Sequence, residues 1–494
     1  MAENNKKLKR NLGLLALMAT GICSMLGASI NVVPFMIQRN IPGIGPYVLP
    51  AFIFAMIPAL LAALAYGILA SAMPRAGGSY IYASRGLSPY LGFIASFSQW
   101  FGLSIVIGVI AYISVAFIRD VSIGLGWVET SRMLELPIIR IGTALGLIWT
   151  FVYINIKGTR SYKKILLPMM YLMFSLGFIV IVAGFYYNTE DFIKALEIKE
   201  NRVFYPQINI NFDWRIFLSA AALLFSSFIG FDSIAQAGSE AKNPTKTLPQ
   251  AIILSIVLVG AFYFLFSSAV YHTVPWSFIA EESRIKDISA PGLLSYVLPS
   301  WLGVAIVLGA AIALINDLPA MLLSVSRLMF AWSDDGIFPS MISKIHQRHS
   351  TPYISLIVAG TMASIGVLGS HFAGDFFLGI DIMVTSMMVN FLLMCITLIT
   401  LPTINPAIAE QISVFNKRST QLIIGIAGII FLSLFLFVHT YKDLTSGADH
   451  WYFHSTPVWL IVMVFGSILF FIKWKEIGKT RKGDYSYFTR LPKE

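Results

Sequence analysis

Apolar runs recur along the whole chain, separated by short polar connections. Each is long enough for the roughly 20 helical residues that cross a bilayer. Twelve such runs stand out, near 12–38, 45–72, 89–118, 138–156, 165–187, 214–237, 249–274, 301–332, 353–370, 376–401, 420–439 and 456–474. The pattern predicts an all-α polytopic membrane protein with twelve transmembrane helices. The connections reach only about 25 residues, so no soluble domain is expected between spans. Composition agrees: hydrophobic residues make up 57% of 494 positions and charged residues 12%. Soluble proteins carry about 45–50% and about 25%. Too little polar surface is left to face water, which excludes a cytosolic enzyme of ordinary domains and a disordered chain alike.

Charge adds an orientation. The net charge of +10 raises nucleic acid as a partner. The basic residues, however, lie in short loops and tails rather than on one folded face, so none is expected. Most of the 35 Lys and Arg fall in the two tails, the loops after spans 2, 4, 6, 8 and 10, and the adjoining span ends. Acidic residues concentrate in 188–213 and 275–300. Positive charge favours the cytoplasmic side, which predicts cytoplasmic N- and C-termini in the cell membrane. Lys6, Lys7, Lys9 and Arg10 precede an apolar run too long for a signal peptide, so a retained first span is expected. Cys23 and Cys395 both lie inside apolar runs, so no disulfide framework is expected.

Two spans carry more small and hydroxylated residues than packing requires. One stretch runs from Thr20 to Asn31 in span 1; the other runs from Ser226 to Asp232 in span 6 and on to Gly238. Small residues let helices approach closely, and each stretch alone reads as a packing seam. Together they occupy matching positions in two five-span halves of opposite topology. Paired interrupted helices at such positions point to a transporter site. Unwound backbone presents N–H groups to a carboxylate and carbonyls to an ammonium group or a metal cation, which suits an α-amino acid.

Four ordered motifs extend this reading. Pro74-Arg75-Ala76-Gly77-Gly78-Ser79-Tyr80-Ile81-Tyr82 follows span 2, and Pro89-Tyr90-Leu91-Gly92-Phe93 with Trp100 opens span 3. Phe228 to Asp232 precedes Lys242-Asn243-Pro244. Ser326-Arg327, Ala331, Asp334-Asp335-Gly336, Pro339 and Thr351-Pro352 follow span 8. In these motifs the chain resembles the amino acid–polyamine–organocation (APC) superfamily transporters. The resemblance implies a LeuT-type fold, with a five-plus-five inverted repeat and two C-terminal helices. It divides the chain into a tail (1–11), a first repeat (12–187), a second repeat (214–401), spans 11 and 12 (420–474) and a second tail (475–494).

The resemblance also implies a site. Ile22, Cys23, Ser24, Met25, Gly27, Ala28 and Ser29 would join Ser226, Phe228, Ile229, Gly230 and Asp232 around the substrate's α-carboxylate and α-amino groups. Gly102, Leu103, Ile107 and Met321 would meet its side chain. The family's G-S-G in span 1 reads Gly27-Ala28-Ser29 here, which keeps small residues but reduces backbone freedom. Asp232 is the one fixed charge of that lining, which favours a neutral side chain, although Asp232 could instead pair with a cationic substrate. Aspartates inside spans cost about 2.5–3.5 kcal/mol even on permissive scales, and Asp232, Asp317 and Asp381 are three. Asp317 lies on span 8 where the fold places a sodium site, with Asn316 as a second candidate ligand. The lysine of proton-driven relatives is replaced by Met173. A coupling ion, H⁺ or Na⁺, is therefore expected, with no other cofactor and no other metal site.

No H-E-x-x-H or nucleophile–base pairing suggests an enzyme, no filter or charged ring suggests a channel, and no added domain suggests a sensor. The expected function is secondary active transport of an amino acid, a neutral one first, by alternating access. An exchanger or a polyamine or organocation carrier of the same fold is the alternative.

Overall fold

The computed structural model describes residues 8–207, 210–373, 376–447, 450–480 and 486–492. Among them, twelve helices are long and apolar enough to cross a membrane. In order these are Leu14–Asn40, Gly45–Ala72, Pro89–Gly124, Pro137–Ile156, Thr159–Tyr186, Trp214–Gln236, Pro244–Thr273, Ser300–Asp334, Tyr353–Phe372, Leu378–Ile404, Arg418–Thr445 and Ser455–Lys479. Each overlaps the run that predicts it. Their starts follow local chemistry: Ser88 caps span 3 by accepting from the Leu91 amide at 3.2 Å, with Pro89 at the first helical position. Asp213 caps span 6 by accepting from the Arg215 amide at 2.6 Å. No strand occurs among the described residues, only two isolated bridges, one joining Leu12 to Ala241.

Burial sorts the spans. Spans 1, 6 and 8 bury 94, 83 and 78% of their apolar windows inside the protein, whereas spans 4, 5, 11 and 12 bury 22, 28, 33 and 28%. The first group forms the centre, and the second presents its apolar side chains outward, as a lipid-facing helix must. Shorter helices lie between spans, including Gly78–Gly86 after span 2 and Trp276–Ile285 after span 7. Both described ends of the chain pack on one face. The Leu12 amide donates to the Glu240 carbonyl at 2.9 Å. From the other end, Arg75 Nε donates to the Pro492 carbonyl and Arg85 Nε to the Arg490 carbonyl, each at 3.1 Å.

The two candidate broken helices behave differently. Span 6 is interrupted as the sequence predicts: helix Trp214–Leu224 tightens into a 3-10 turn over Phe225–Phe228, Ile229 is extended, and helix resumes at Asp232–Gln236. Gly230 has φ +141°, a conformation open to glycine and hostile to L side chains. Its amide finds a new partner in the Asp232 carboxylate at 3.1 Å. Span 1, in contrast, is one continuous helix from Leu14 to Asn40. The expectation of a break at Thr20–Asn31 is corrected, and with it the idea that the amides there are free to bind a ligand. Each glycine costs a helix only about 1 kcal/mol, whereas a backbone group left unpaired in lipid costs several. No side chain replaces the ladder here; Thr20 Oγ1 instead donates back to the Ala16 carbonyl at 2.9 Å. The glycines serve contact: a Cβ at Gly21 would press on Ile234, and one at Gly27 would overlap the Asp317 carboxylate.

Gly230→Ala is expected to destabilise the protein by about 2 kcal/mol or more, because the backbone conformation is strained for alanine. The new Cβ would also lie 2.5 Å from the Ser24 carbonyl oxygen. Thermal unfolding in detergent checks this, and an unchanged midpoint would show that the segment relaxes freely.

Candidate substrate and ion site

The break in span 6 opens onto a small cavity lined by Ser24 of span 1, Val106, Val109 and Ile110 of span 3, Ser226 and Ile229 of span 6, Asp317 and Met321 of span 8, and Ile380 and Met383 of span 10. Seven of these ten side chains are apolar. The polar members are two hydroxyls and one carboxylate. Ser24 Oγ donates to Ser233 Oγ at 3.2 Å, which ties span 1 to the resumed half of span 6. Ser226 Oγ is buried without a hydrogen-bond partner among the described residues. A buried hydroxyl in that state calls for an explanation, and its place on the cavity wall offers a ligand's polar group as one.

Asp317 is 2% exposed and sits against span 1 at Gly27, whose missing side chain makes room for the carboxylate. This is the junction of spans 1 and 8 at which the resemblance locates an ion. Pro319, two residues on, lies inside the helix and so leaves the carbonyl of residue 315 without its helical donor. Asn316 does not line the cavity: its Nδ2 donates to Cys23 Sγ of span 1 at 2.9 Å, while its Oδ1, the atom that would meet a cation, is buried without a hydrogen-bond partner among the described residues.

Several expected site residues fall differently. Asp232 is fully buried but does not line the cavity. Its carboxylate accepts from Gln99 Nε2 and from the Gly230 amide, so it braces the break from behind. The one carboxylate on the cavity wall is therefore Asp317. On span 3, Val106, Val109 and Ile110 face the cavity, and Leu103 and Ile107 are buried without lining it. Gly102 packs on span 10, where a Cβ would lie 2.7 Å from that of Ser386. The reason is rotation: counting from Trp100 gives a position along the helix, while the facing stripe is set by packing against spans 8 and 10. Phe228 also turns away, its ring 5.1 Å from Phe52 and 6.0 Å from Tyr263. Met25 contributes its carbonyl to the Tyr263 hydroxyl at 2.6 Å. Ile22 and Cys23 are buried but not on the cavity wall. The side chains of Ala28 and Ser29 lie outside the described residues. Asp381, near the far end of span 10, offers its carbonyl to His439 Nε2 of span 11 at 3.3 Å.

Behind the break lies a polar cluster that sequence reading missed. Gln236 Nε2 donates to Ser79 Oγ at 2.7 Å and to Gln99 Oε1 at 3.3 Å. Asn390 Nδ2 donates to Tyr66 Oη at 2.7 Å, and that oxygen lies 2.7 Å from Ser79 Oγ. The cluster joins spans 2, 3, 6 and 10 to the helix Gly78–Gly86. Its signal was present: Gln99, Gln236 and Asn390 are amides inside apolar runs, where polar groups are costly. Further along the same face, two buried ion pairs close the bundle. Arg327 Nη2 lies 2.8 Å from Glu240 Oε1, and Arg85 Nη2 lies 3.0 Å from Asp335 Oδ1. Burial lowers the basicity of the Arg85 guanidinium, and the Asp335 carboxylate beside it more than reverses this.

Residues 12–486 match the family described as "Amino acid permease". The chain is 27% identical over 377 residues to the branched-chain amino acid permease BcaP of Bacillus subtilis (strain 168), covering 74% of this chain and 76% of that one. It is 26% identical over 369 residues to cationic amino acid transporter 4 of Mus musculus, covering 72% of this chain and 55% of that one. It is 24% identical over 379 residues to the low-affinity putrescine importer PlaP of Escherichia coli (strain K12), with 75% of each chain covered.

Proposed function

The chain belongs to the amino acid permease family, and on that premise we propose that it is a secondary active amino acid transporter of the cell membrane, driven by H⁺ or Na⁺ and working by alternating access. The observation that carries the reading is the cavity at the break of span 6, with the unpaired Ser226 hydroxyl and the Asp317 carboxylate on its wall. The interrupted backbone of residues 226–230 and the hydroxyls of Ser24 and Ser226 would receive the substrate's α-groups. Asp317 would hold the coupling cation, or the proton itself.

The seven apolar side chains of the wall favour a neutral, apolar amino acid, and the branched-chain permease among the relatives supports that choice. A second reading rests on the same carboxylate. Asp317 facing the cavity could pair with a side-chain amine, and the cationic amino acid and putrescine carriers among the relatives match it. Helix packing supports the inverted repeat: span 2 packs on 7 and span 3 on 8, while span 3 on 10 is mirrored by span 8 on 5. Spans 1, 2, 6 and 7 would rock against spans 3, 4, 8 and 9. The basic loops support cytoplasmic termini.

Proteoliposome uptake of radiolabelled amino acids and polyamines, under pH and Na⁺ gradients imposed separately, tests all of this. Gradient-driven accumulation of a branched-chain amino acid is expected. Movement only against a preloaded counter-substrate would make the protein an exchanger, and accumulation of a polyamine or cationic amino acid alone would favour the second reading.

A further inference from the structure

The loops after spans 4 and 8 come together on the face that carries both described ends of the chain. Thr351 Oγ1 donates to the Ile156 carbonyl at 2.8 Å, and a Cβ at Gly158 would lie 3.1 Å from the His349 carbonyl oxygen. Asn11 Nδ2 reaches Thr159 Oγ1 at 3.4 Å, which brings the segment with Lys9 and Arg10 to the same place. The first loop contributes Lys157 and the start of span 5 adds Arg160, Lys163 and Lys164, while the second loop contributes Lys344 and Arg348 with His346 and His349. Neither 157–164 nor 336–353 contains an acidic residue. Among the described residues, none of these six Lys and Arg side chains takes part in an ion pair. Desolvation, with the neighbouring Arg348, Lys157 and His346, holds the His349 imidazole below its ordinary range. Elsewhere on that face, Arg85 and Arg327 are each buried against a carboxylate.

Uncompensated cations repel one another unless something neutralises them. The apolar surface beside the cluster identifies what that is. Lys157 Nζ lies 4.3 Å from the centre of the Tyr153 ring, one turn up span 4. Tyr153 is 57% exposed on span 4, which buries only 22% of its apolar window, and Met341, beside Lys344, is 54% exposed. A ligand for this surface needs a negative head at the level of the loops and an apolar body alongside span 4.

We propose that the junction of the loops after spans 4 and 8 is a binding site for the headgroup of an anionic phospholipid, with Lys157, Arg160, Lys344 and Arg348 on its phosphodiester and its acyl chains against the Tyr153 side of span 4. The lipid neutralises a cluster that the protein leaves unpaired. It also holds together the ends of spans 4, 5 and 9, none of which lines the cavity described above.

Native mass spectrometry of the full-length protein with added phosphatidylglycerol or phosphatidylcholine tests the site, together with thermal unfolding in the same lipids. The wild type is expected to retain phosphatidylglycerol preferentially and to gain stability from it. Each charge is worth about fivefold in affinity at an anionic surface, so K157Q and R348Q should each weaken retention about that much, and K157Q/R160Q/K344Q/R348Q should abolish the preference. The single variants keep the test readable if the quadruple one does not fold. Equal retention by wild type and variants would overturn the proposal. So would equal stabilisation by soluble glycerol phosphate, which would make the site one for a free phosphate compound.

Discussion

Asp317→Asn is expected to abolish gradient-driven accumulation, lowering it at least tenfold, while the protein still folds and binds substrate. The substitution keeps shape and volume, so the close contact with Gly27 survives. What it removes is the negative charge on the cavity wall. A neutral amide can neither carry a proton nor balance a sodium ion, and a coupling of 1.4 kcal/mol already corresponds to tenfold in an equilibrium. The cost of placing an aspartate at membrane depth, about 2.5–3.5 kcal/mol, is relieved in the variant, so its thermal stability should hold or rise. Uptake into proteoliposomes under a pH or Na⁺ gradient reads the loss, and substrate-induced thermal shift reads the retained binding. Full accumulation by the variant would remove Asp317 from the coupling role and leave it as a residue that seats span 8 on span 1.

The second large effect concerns stability. Arg327→Ala is expected to destabilise the protein by about 3–5 kcal/mol, because it strands a buried carboxylate. Glu240 and Arg327 are each about 1% exposed and are joined by two hydrogen bonds, 2.8 and 3.1 Å long. Arg327 Nη1 also donates to Ser326 Oγ at 2.9 Å. The Glu240 carbonyl accepts from the Leu12 amide, so the pair fastens span 8, the end of span 6 and the start of span 1 at one point. Replacing both partners with apolar residues of similar size, Arg327→Met with Glu240→Leu, is expected to recover most of the loss, since the buried charge and its desolvation leave together. Thermal unfolding of the three proteins in one detergent makes the comparison. A single variant as stable as the wild type would mean that water reaches Glu240.

Part of the site was legible in the chain, and the residues show which part. The stretch holding Gly230 and Asp232 reads alone as a packing seam, and its matching position to span 1 in two halves of opposite topology marked it as a break. Asp317 stood out for its cost in lipid. Span 1 misled because its glycines and hydroxyls look like those of span 6. In span 6 the Asp232 carboxylate supplies a new partner for a freed amide, whereas the span 1 hydroxyl of Thr20 bonds back into its own helix. Composition cannot distinguish those two uses.

The sequence established the membrane, the twelve spans and the resemblance of the motifs, and it narrowed the search for an interrupted helix to spans 1 and 6. These depend on free energy summed over about 20 consecutive residues or on single residues whose conformation or charge is costly, and both are local. Tertiary structure alone decided which side chains meet. It kept span 1 continuous, turned Val106, Val109 and Ile110 toward the cavity in place of Leu103 and Ile107, and drew Asp232 back onto Gln99. It also paired Arg327 with Glu240 across 87 positions of sequence. Such choices differ by rotations of a helix and by single hydrogen bonds, each worth about a kilocalorie, and only the packing of neighbouring helices selects among them.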